Sequence, residues 1–173
     1  MKNKPLLLFC ITLFIVWITT RSPLIWSRSS LNNRWYKVLP GDDQLLKANL
    51  LAKVEEKLRT LVRKERLNCD FTLAENTDRS HTAYTQNKYD IRLCLENPDE
   101  NTLFYVALHE LAHVCHPELG HGEDFWKLFT TLIQASIKHG LYVYQDFQRN
   151  PEAYCGTRIE SSPYNCNDCT TYR

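Results

Sequence analysis

Three histidines and a glutamate stand at a spacing that suits metal-assisted hydrolysis. His109 and His113 are the first and last residues of a His-Glu-x-x-His pattern, and His121 follows after seven further residues. Positions four apart on an α-helix lie on one face, so both imidazoles of the pattern can reach one zinc ion at roughly 2.0–2.1 Å. Glu110 lies about 100° round the helix, where its carboxylate can reach a zinc-bound water without displacing a histidine. The pattern therefore predicts a zinc site with Glu110 as the catalytic residue.

The identity of the third ligand depends on where the helix ends. His116 continues the same helix face, but Pro117 disfavours the helical conformation at residue 116. Three ligands from one straight helix also converge poorly on a tetrahedral ion. Gly120 can adopt a positive φ and turn the chain back, so we expect His121 to be the third ligand. Two carboxylates nearby in the sequence are alternative oxygen ligands: Glu118 and Glu123.

The motif is expected on a buried helix. Residues 102–115 contain no glycine or proline and are apolar nearly all round, which is typical of a helix inside a core. Asn101 is a suitable N-cap for this helix, and Pro117 predicts its end near His116.

The motif and its surroundings resemble the WLM metallopeptidases, which are relatives of the SprT-like proteases. The resemblance is carried by His109-Glu-Leu-Ala-His113 and by His121-Gly-x-x-Phe-Trp126. It extends from about Tyr36 to Pro163 and includes residues 101–108 and 154–156. It is strongest toward the short WLM-domain proteins of large DNA viruses, some of which begin with a hydrophobic segment.

This resemblance implies a fold and a ligand set. The fold is α+β, a compact zincin-like domain with a small antiparallel sheet, an active-site helix and flanking helices, preceded by an N-terminal hydrophobic helix. The implied zinc ligands are His109, His113 and His121, with Glu110 catalytic. Leu119 stands where the metzincin pattern requires its third histidine, so that class is excluded.

Residues 1–26 predict a signal-anchor or transmembrane segment. The apolar run from Pro5 to Thr20 is short for a membrane span, and no convincing cleavage site follows it. An uncleaved single anchor is therefore favoured, and a cleaved signal peptide with a secreted product is the alternative. Lysines before the run and arginines after it leave the membrane topology open.

The remaining chain is long enough for one globular domain. With 173 residues, of which 43% are hydrophobic, it can form a core. We assign residues 27–41 to a polar linker, residues 42–163 to the metallopeptidase-like domain and residues 164–173 to a C-terminal tail.

Periodicity predicts further elements in this domain. An amphipathic helix is expected from Asp42 or Asp43 to about Leu67, and a second one from about residue 123 to 139, ended by Gly140. Residues 81–95 alternate like a β-hairpin with its turn at Asn87-Lys88. An extended substrate could pair with the edge of such a hairpin.

The seven cysteines separate into two groups. Cys10 and Cys115 are expected to be buried hydrophobes or free thiols. Disulfides are possible among the others if the domain faces an oxidising compartment. These others are Cys69, Cys94, Cys155, Cys166 and Cys169.

Three functions are compatible with these features. A membrane-anchored zinc peptidase acting on a protein or peptide substrate is favoured. A DNA-associated protease is disfavoured because the net charge is only +1 and the basic runs are interrupted. A non-catalytic zinc-stabilised binding module is disfavoured because a structural site does not need Glu110. The substrate and the oligomeric state stay open, as does the oxyanion donor, with four candidates: His139, Tyr142, Tyr144 and Tyr154.

Overall fold

The computed structural model describes residues 24–78 and 80–165, which form an α+β fold. A five-stranded sheet, three helices and a small hairpin make up this described part. In chain order the elements are β1 (Ile25–Arg28), β2 (Trp35–Val38), α1 (Gln44–Lys64), β3 (Thr72–Glu75), β4 (Ala83–Gln86), β5 (Asp90–Leu93), α2 (Glu100–Cys115), α3 (Glu123–Lys138), β6 (Glu152–Tyr154) and β7 (Thr157–Ile159).

The sheet is mixed, and the prediction of an antiparallel sheet is wrong. Its strand order is β1-β2-β3-β5-β4. The β1–β2 and β4–β5 pairs are antiparallel, whereas β3 is parallel to both of its neighbours. The reason is that α1 carries the chain from the end of β2 back to the start of β3, and such a crossover produces a parallel pair.

The predicted linker at residues 27–41 contributes to the sheet, so its assignment is wrong. It contains β2 and the second half of β1, and the first strand of the described part begins at Ile25, within the predicted anchor segment. Tyr36 and Val38 are buried while Trp35 is exposed, which is the alternation of a strand with one covered face. The run is only four residues long, too short to stand out among its polar neighbours.

The predicted N-terminal hydrophobic helix lies in residues 1–23, outside the described residues. Within 24–78 and 80–165 the structure contains no helix with the length and apolar character needed to cross a membrane. Most of the predicted C-terminal tail also lies outside the described part.

The helices α1 and α2 cover one face of the sheet. The predicted helix at 42–67 is confirmed as α1. Of the leucines expected on its apolar face, Leu50, Leu58 and Leu61 are buried, whereas Leu46 is 59% exposed. Side chains from α1, α2, α3 and alternate strand positions form one continuous core. The motif helix α2 lies inside this core, as its all-round apolar composition predicted.

The ends of α2 are defined by two residues. Asp99 is the N-cap and its side chain accepts a 2.8 Å hydrogen bond from the Thr102 amide. The prediction of Asn101 as N-cap is therefore wrong; its side chain instead bonds the backbone of Val143. The predicted end near His116 is confirmed, because this residue has extended backbone before Pro117.

The β4–β5 hairpin is confirmed with its turn at Asn87-Lys88. Both turn residues have positive φ, 54° and 55°, and the Tyr89 amide donates to the Gln86 carbonyl at 3.1 Å. The predicted last helix is likewise confirmed as α3, followed by Gly140 with a φ of 66°.

Two disulfides are present in the described part of the chain. The Cys94–Cys155 bond joins two members of the predicted set. The Cys69–Cys115 bond shows that the expectation of an unpaired Cys115 is wrong. Cys115 is the last residue of α2 and lies beside Cys69, in the segment before β3. The two are 46 residues apart in the sequence, so no local pattern predicts their contact. Cys10, Cys166 and Cys169 lie outside the described residues.

Candidate metal centre

Three imidazoles converge on one point at the surface of α2. The helix presents His109 and His113 one turn apart, and the following loop returns His121 to them. The Nε2 atom of His121 lies 3.0 Å from Nε2 of His109 and 3.0 Å from Nε2 of His113. One ligand atom from each of the three residues lies within 4.8 Å of the others. The structure thus brings together all three predicted ligands.

The loop that returns His121 is fixed at several points. Gly120 has a φ of 86°, the left-handed conformation that glycine adopts without strain. The Lys88 ammonium group, at the turn of the β4–β5 hairpin, donates hydrogen bonds to the carbonyls of His116 (2.7 Å) and Glu118. Lys88 therefore ties the hairpin to the ligand loop. Sequence reasoning assigned it only a turn position, because nothing in the pattern reveals a contact 28 residues away.

The chemistry of these donors fits a cation. An imidazole Nε2 has either one proton or one lone pair, so His121 cannot form two good hydrogen bonds with two other Nε2 atoms. Three lone pairs directed at one ion satisfy all three rings. A tetrahedral zinc at about 2.0–2.1 Å from each nitrogen would separate the nitrogens by about 3.3 Å, close to the observed spacing.

Protonation also favours metal binding. Burial, together with the neighbouring histidines, lowers the pKa of His109 to about 3. Burial and the charges of His121, Lys88 and His116 lower the pKa of His113 to about 4. Both rings are therefore neutral at physiological pH, which is the form that coordinates a metal.

Aromatic side chains at the start of α3 hold the rings in place. Phe125 stacks on His113, with centroids 4.4 Å apart and planes at 28°. Trp126 stacks on His121, with centroids 5.5 Å apart and planes at 27°. Phe129 meets His109 edge-on at 5.1 Å. These contacts restrict the orientations of the three imidazole rings. The aromatic side chains in the first two turns of α3 are thus part of the site.

Glu110 lies on the side of α2 that faces β4. It is 5% exposed, and its carboxylate accepts a 2.8 Å hydrogen bond from the Thr85 hydroxyl. Burial raises the pKa of Glu110 to about 7, and the Thr85 hydrogen bond opposes this rise. Thr85 was missed at the level of sequence, although its alternation with Tyr84 in the hairpin places it on the face toward α2.

A cleft of about 530 Å³ joins these groups. It lies between the motif helix, the β4–β5 hairpin and the ligand loop. Its lining comprises Ala83, Tyr84, Thr85, Asn87, Lys88, His109, Glu110, His113, Leu119, Gly120 and His121.

Strand β4 is an edge of the sheet and borders this cleft, so half of its backbone groups point outward. Cys94 donates its amide hydrogen to the Thr82 carbonyl at 3.0 Å, which marks these two as a hydrogen-bonded pair of the antiparallel ladder. Bonded pairs alternate along such a ladder. The backbone N–H and C=O groups of Ala83 and Thr85 therefore point away from β5 and are available to an extended chain.

The rival ligands lie apart from the histidine cluster. His116 is buried, and its Nδ1 lies 3.3 Å from the Glu118 carbonyl. Glu123 pairs with Lys127 at 2.8 Å, and neither Glu118 nor Glu123 belongs to the converging set.

The oxyanion candidates occupy different environments. His139 pairs with Glu65 at 2.6 Å, and Tyr142 is buried in the core. Tyr144 packs against Tyr164. Tyr154 donates to the Cys94 carbonyl at 2.9 Å, so its hydroxyl is already engaged. Tyr84, which sequence reasoning did not consider, is the tyrosine that lines the cleft.

Comparisons with known proteins give viral relatives. The chain is 32% identical over 169 residues to an uncharacterized protein of Acanthamoeba polyphaga mimivirus, covering 82% of this chain and 85% of that protein. It is 39% identical over 66 residues to an uncharacterized protein of Invertebrate iridescent virus 3, covering 35% of this chain and 42% of that protein. The corresponding values for an uncharacterized protein of Invertebrate iridescent virus 6 are 38% over 68 residues, 35% and 38%. No protein-family model and no solved structure matches the chain.

Proposed function

The chain belongs to the same family as the uncharacterized mimivirus protein, and we propose that it is a membrane-anchored zinc metallopeptidase with a WLM-type, zincin-like domain. The observation that carries this proposal is the convergence of three imidazole Nε2 atoms in one cleft with the buried carboxylate of Glu110.

The three histidines would hold the ion and leave one tetrahedral position open toward the cleft. This ligand count is typical of catalytic zinc sites, whereas structural sites use four protein ligands. A zinc ion at this position supplies Lewis acidity, which polarises a peptide carbonyl and makes water a better nucleophile at neutral pH.

Glu110 would transfer the protons. Its carboxylate removes a proton from the attacking water and delivers it to the amine that leaves when the peptide bond breaks. A pKa of about 7 suits both steps, because proton affinity then lies close to the operating pH. The Thr85 hydrogen bond fixes the carboxylate orientation during these transfers.

The substrate would bind as an extended peptide along β4. The outward backbone groups of Ala83 and Thr85 can pair with it as a further strand, by β-augmentation. This pairing would lay a peptide across the cleft beside His109 and Glu110. Main-chain pairing of this kind is largely independent of the substrate's side chains.

The two disulfides support a location outside the reducing cytosol. Disulfides persist in oxidising compartments and are rare in cytosolic proteins. Together with the apolar run at Pro5–Thr20, they favour an anchored enzyme whose catalytic domain faces such a compartment. They agree equally with the alternative of a secreted product.

Neither other function has an observation in its favour. A net charge of +1 offers little phosphate neutralisation for a DNA-associated protease. A non-catalytic zinc module would bury the Glu110 carboxylate without benefit, and burying a charge is costly.

The decisive experiment compares the wild type with Glu110→Gln. We expect both proteins to contain zinc, and only the wild type to cleave a broad peptide library. Mass spectrometry of the products and metal analysis of the same samples give the two readouts. Equal cleavage by both proteins would refute the role of Glu110, and absence of zinc from both would refute the metal site.

A further inference from the structure

We propose that the exposed face of β1 and β2 docks on an anionic lipid bilayer. The surface consists of Trp26, Arg28, Trp35 and Lys37 and is called the tryptophan face below. The proposal deepens the proposed function and rests on its membrane anchor. It assigns a role to a face of the sheet that lies opposite the helices and takes no part in the metal centre.

The register of the two strands builds this face. Trp26 is paired with Lys37, and Arg28 is paired with Trp35. Directly paired residues of an antiparallel ladder project from the same side of a sheet. Since Tyr36, next to Trp35, is buried beneath α1, the four side chains of the tryptophan face project to the other side.

The two indoles are strongly exposed. Trp26 is 61% exposed and Trp35 is 59% exposed, which is unusual for side chains with so much apolar area. A depression of about 590 Å³ beside them is lined by both tryptophans, by four basic residues and by two acids, Glu55 and Asp90. Tryptophan is enriched where proteins meet the interfacial region of a bilayer, since its ring is apolar and its N–H is polar.

The charged residues of the tryptophan face are two cations, Arg28 and Lys37. The Lys37 ammonium lies 5.1 Å from the Trp26 ring centroid, and Arg28 donates to the Asn33 carbonyl at 3.1 Å. In the described part of the chain neither cation pairs with a carboxylate. Arg34 and Arg92, by contrast, are paired with Glu55 and Asp90. The face therefore offers two cations to anionic headgroups.

The length of the connecting chain limits where the face can lie. The apolar run ends at about Thr20, five residues before Ile25. Five residues span at most about 17 Å when fully extended. An anchored run would thus hold β1 at or near the interfacial region. The tryptophan face would then lie close to the lipid headgroups.

Docking on this face would leave the metal centre accessible. The motif helix lies on the opposite side of the sheet, and β4 is the edge strand farthest from β1. Four strand spacings of about 4.8 Å separate the two edges, or about 19 Å. The cleft would then open beside the bilayer, which favours substrates with a membrane-proximal extended segment.

Nucleic acid is the competing partner, because aromatic and basic side chains also bind single strands. The two cations of the tryptophan face and a net charge of +1 would neutralise few phosphates, so they predict weak binding of a polyanion. The nearby apolar run favours lipid instead.

The test uses the full chain reconstituted into phosphatidylcholine vesicles that contain phosphatidylserine and brominated lipid. A Trp17→Phe, Trp126→Phe variant reports on Trp26 and Trp35. A Trp17→Phe, Trp26→Phe, Trp35→Phe variant reports on Trp126 in the site. We expect bromine to quench the first reporter at least about twofold, because collisional quenching requires contact with the interface, and to leave the second unchanged. Equal quenching of both reporters, or of neither, would overturn the proposal.

A charge-reversal arm tests the role of the cations. In the first reporter, Arg28→Glu with Lys37→Glu should abolish most of the quenching on vesicles with phosphatidylserine. Lys64→Glu with Lys138→Glu, which reverses two exposed lysines at the ends of α1 and α3, is the control of equal net charge and should retain the quenching. Loss in both variants, or in neither, would contradict recognition by this face.

Two further measurements separate the outcomes. Flotation of the same vesicles shows whether the chain is anchored, so a floating protein with unquenched indoles refutes docking but not anchoring. A short single-stranded oligonucleotide at physiological salt should leave the first reporter unchanged; quenching by the oligonucleotide alone would assign the face to nucleic acid. Zinc content and peptide cleavage report on the proposed peptidase independently of either result.

Discussion

The hydroxyl of Thr85 donates a 2.8 Å hydrogen bond to the buried carboxylate of Glu110. The same hydroxyl lies 3.1 Å from the Glu110 backbone carbonyl. This contact joins the edge strand β4 to the motif helix, so that one residue both borders the cleft and orients the proposed catalytic group. The hydrogen bond thereby connects the strand on which the substrate would bind to the helix that carries the proposed proton-transfer group.

Replacement of Thr85 should impair catalysis without removing zinc. Thr85→Val keeps the shape of the side chain but leaves the Glu110 carboxylate without its hydroxyl donor. A hydrogen bond to a charged group contributes about 1.5–3 kcal/mol, so kcat/KM should fall about tenfold or more. Thr85→Ser retains the donor and is the matched control. Peptidase kinetics and zinc content provide the measurement, and unchanged kcat/KM in the valine variant would contradict the role.

Zinc content should distinguish His121 from His116. His121→Ala removes one of three converging nitrogens, and loss of a ligand should lower the bound zinc to a small fraction of that in the wild type. His116→Ala changes a nearby buried histidine outside the cluster and should retain the ion. Metal analysis after dialysis gives the comparison. Equal loss in both variants would show that the effect arises from the fold of the loop rather than from coordination.

The motif helix was predictable because its signals are local. The spacing of His109 and His113, the apolar composition and Pro117 all lie within one element, and the structure agrees with them. The Asn87-Lys88 turn is a similar case, since both positions adopt the positive φ that a tight hairpin requires.

The errors concern relations between distant segments. Strand β2 has only four residues, too few to show a clear alternating pattern, and it pairs with β1 on one side and, across the α1 crossover, with β3 on the other. The partner of Cys115 lies 46 residues away. Lys88 and Thr85 reach the site from the hairpin in the same manner. Such contacts depend on the order and direction of the strands in the sheet, and the prediction of an antiparallel sheet was wrong.

The disulfides should contribute substantially to stability. The Cys94–Cys155 bond spans 61 residues, and closing a loop of that length removes enough unfolded-state entropy to stabilise by about 4 kcal/mol. A Cys94→Ser, Cys155→Ser variant should therefore lose about that much free energy of unfolding. Urea denaturation under oxidising conditions measures it. A parallel titration with reductant present should reduce the difference between variant and wild type, and a difference that persists unchanged would contradict the assignment.

Acid should destabilise the fold partly through Glu55. Burial raises its pKa, but hydrogen bonds from Tyr36 and Arg59 and the charges of Arg59 and Arg34 outweigh burial and lower the pKa below 4.5. Its contribution is therefore present above pH 4.5 and is lost as the pH falls through the lowered value. Glu55→Gln should reduce the free energy of unfolding at pH 7 by about 2 kcal/mol and flatten its decline in acid. Urea denaturation across this range, with exposed Glu56→Gln as control, should show the effect at Glu55 alone; an equal effect in the control would attribute it to net charge.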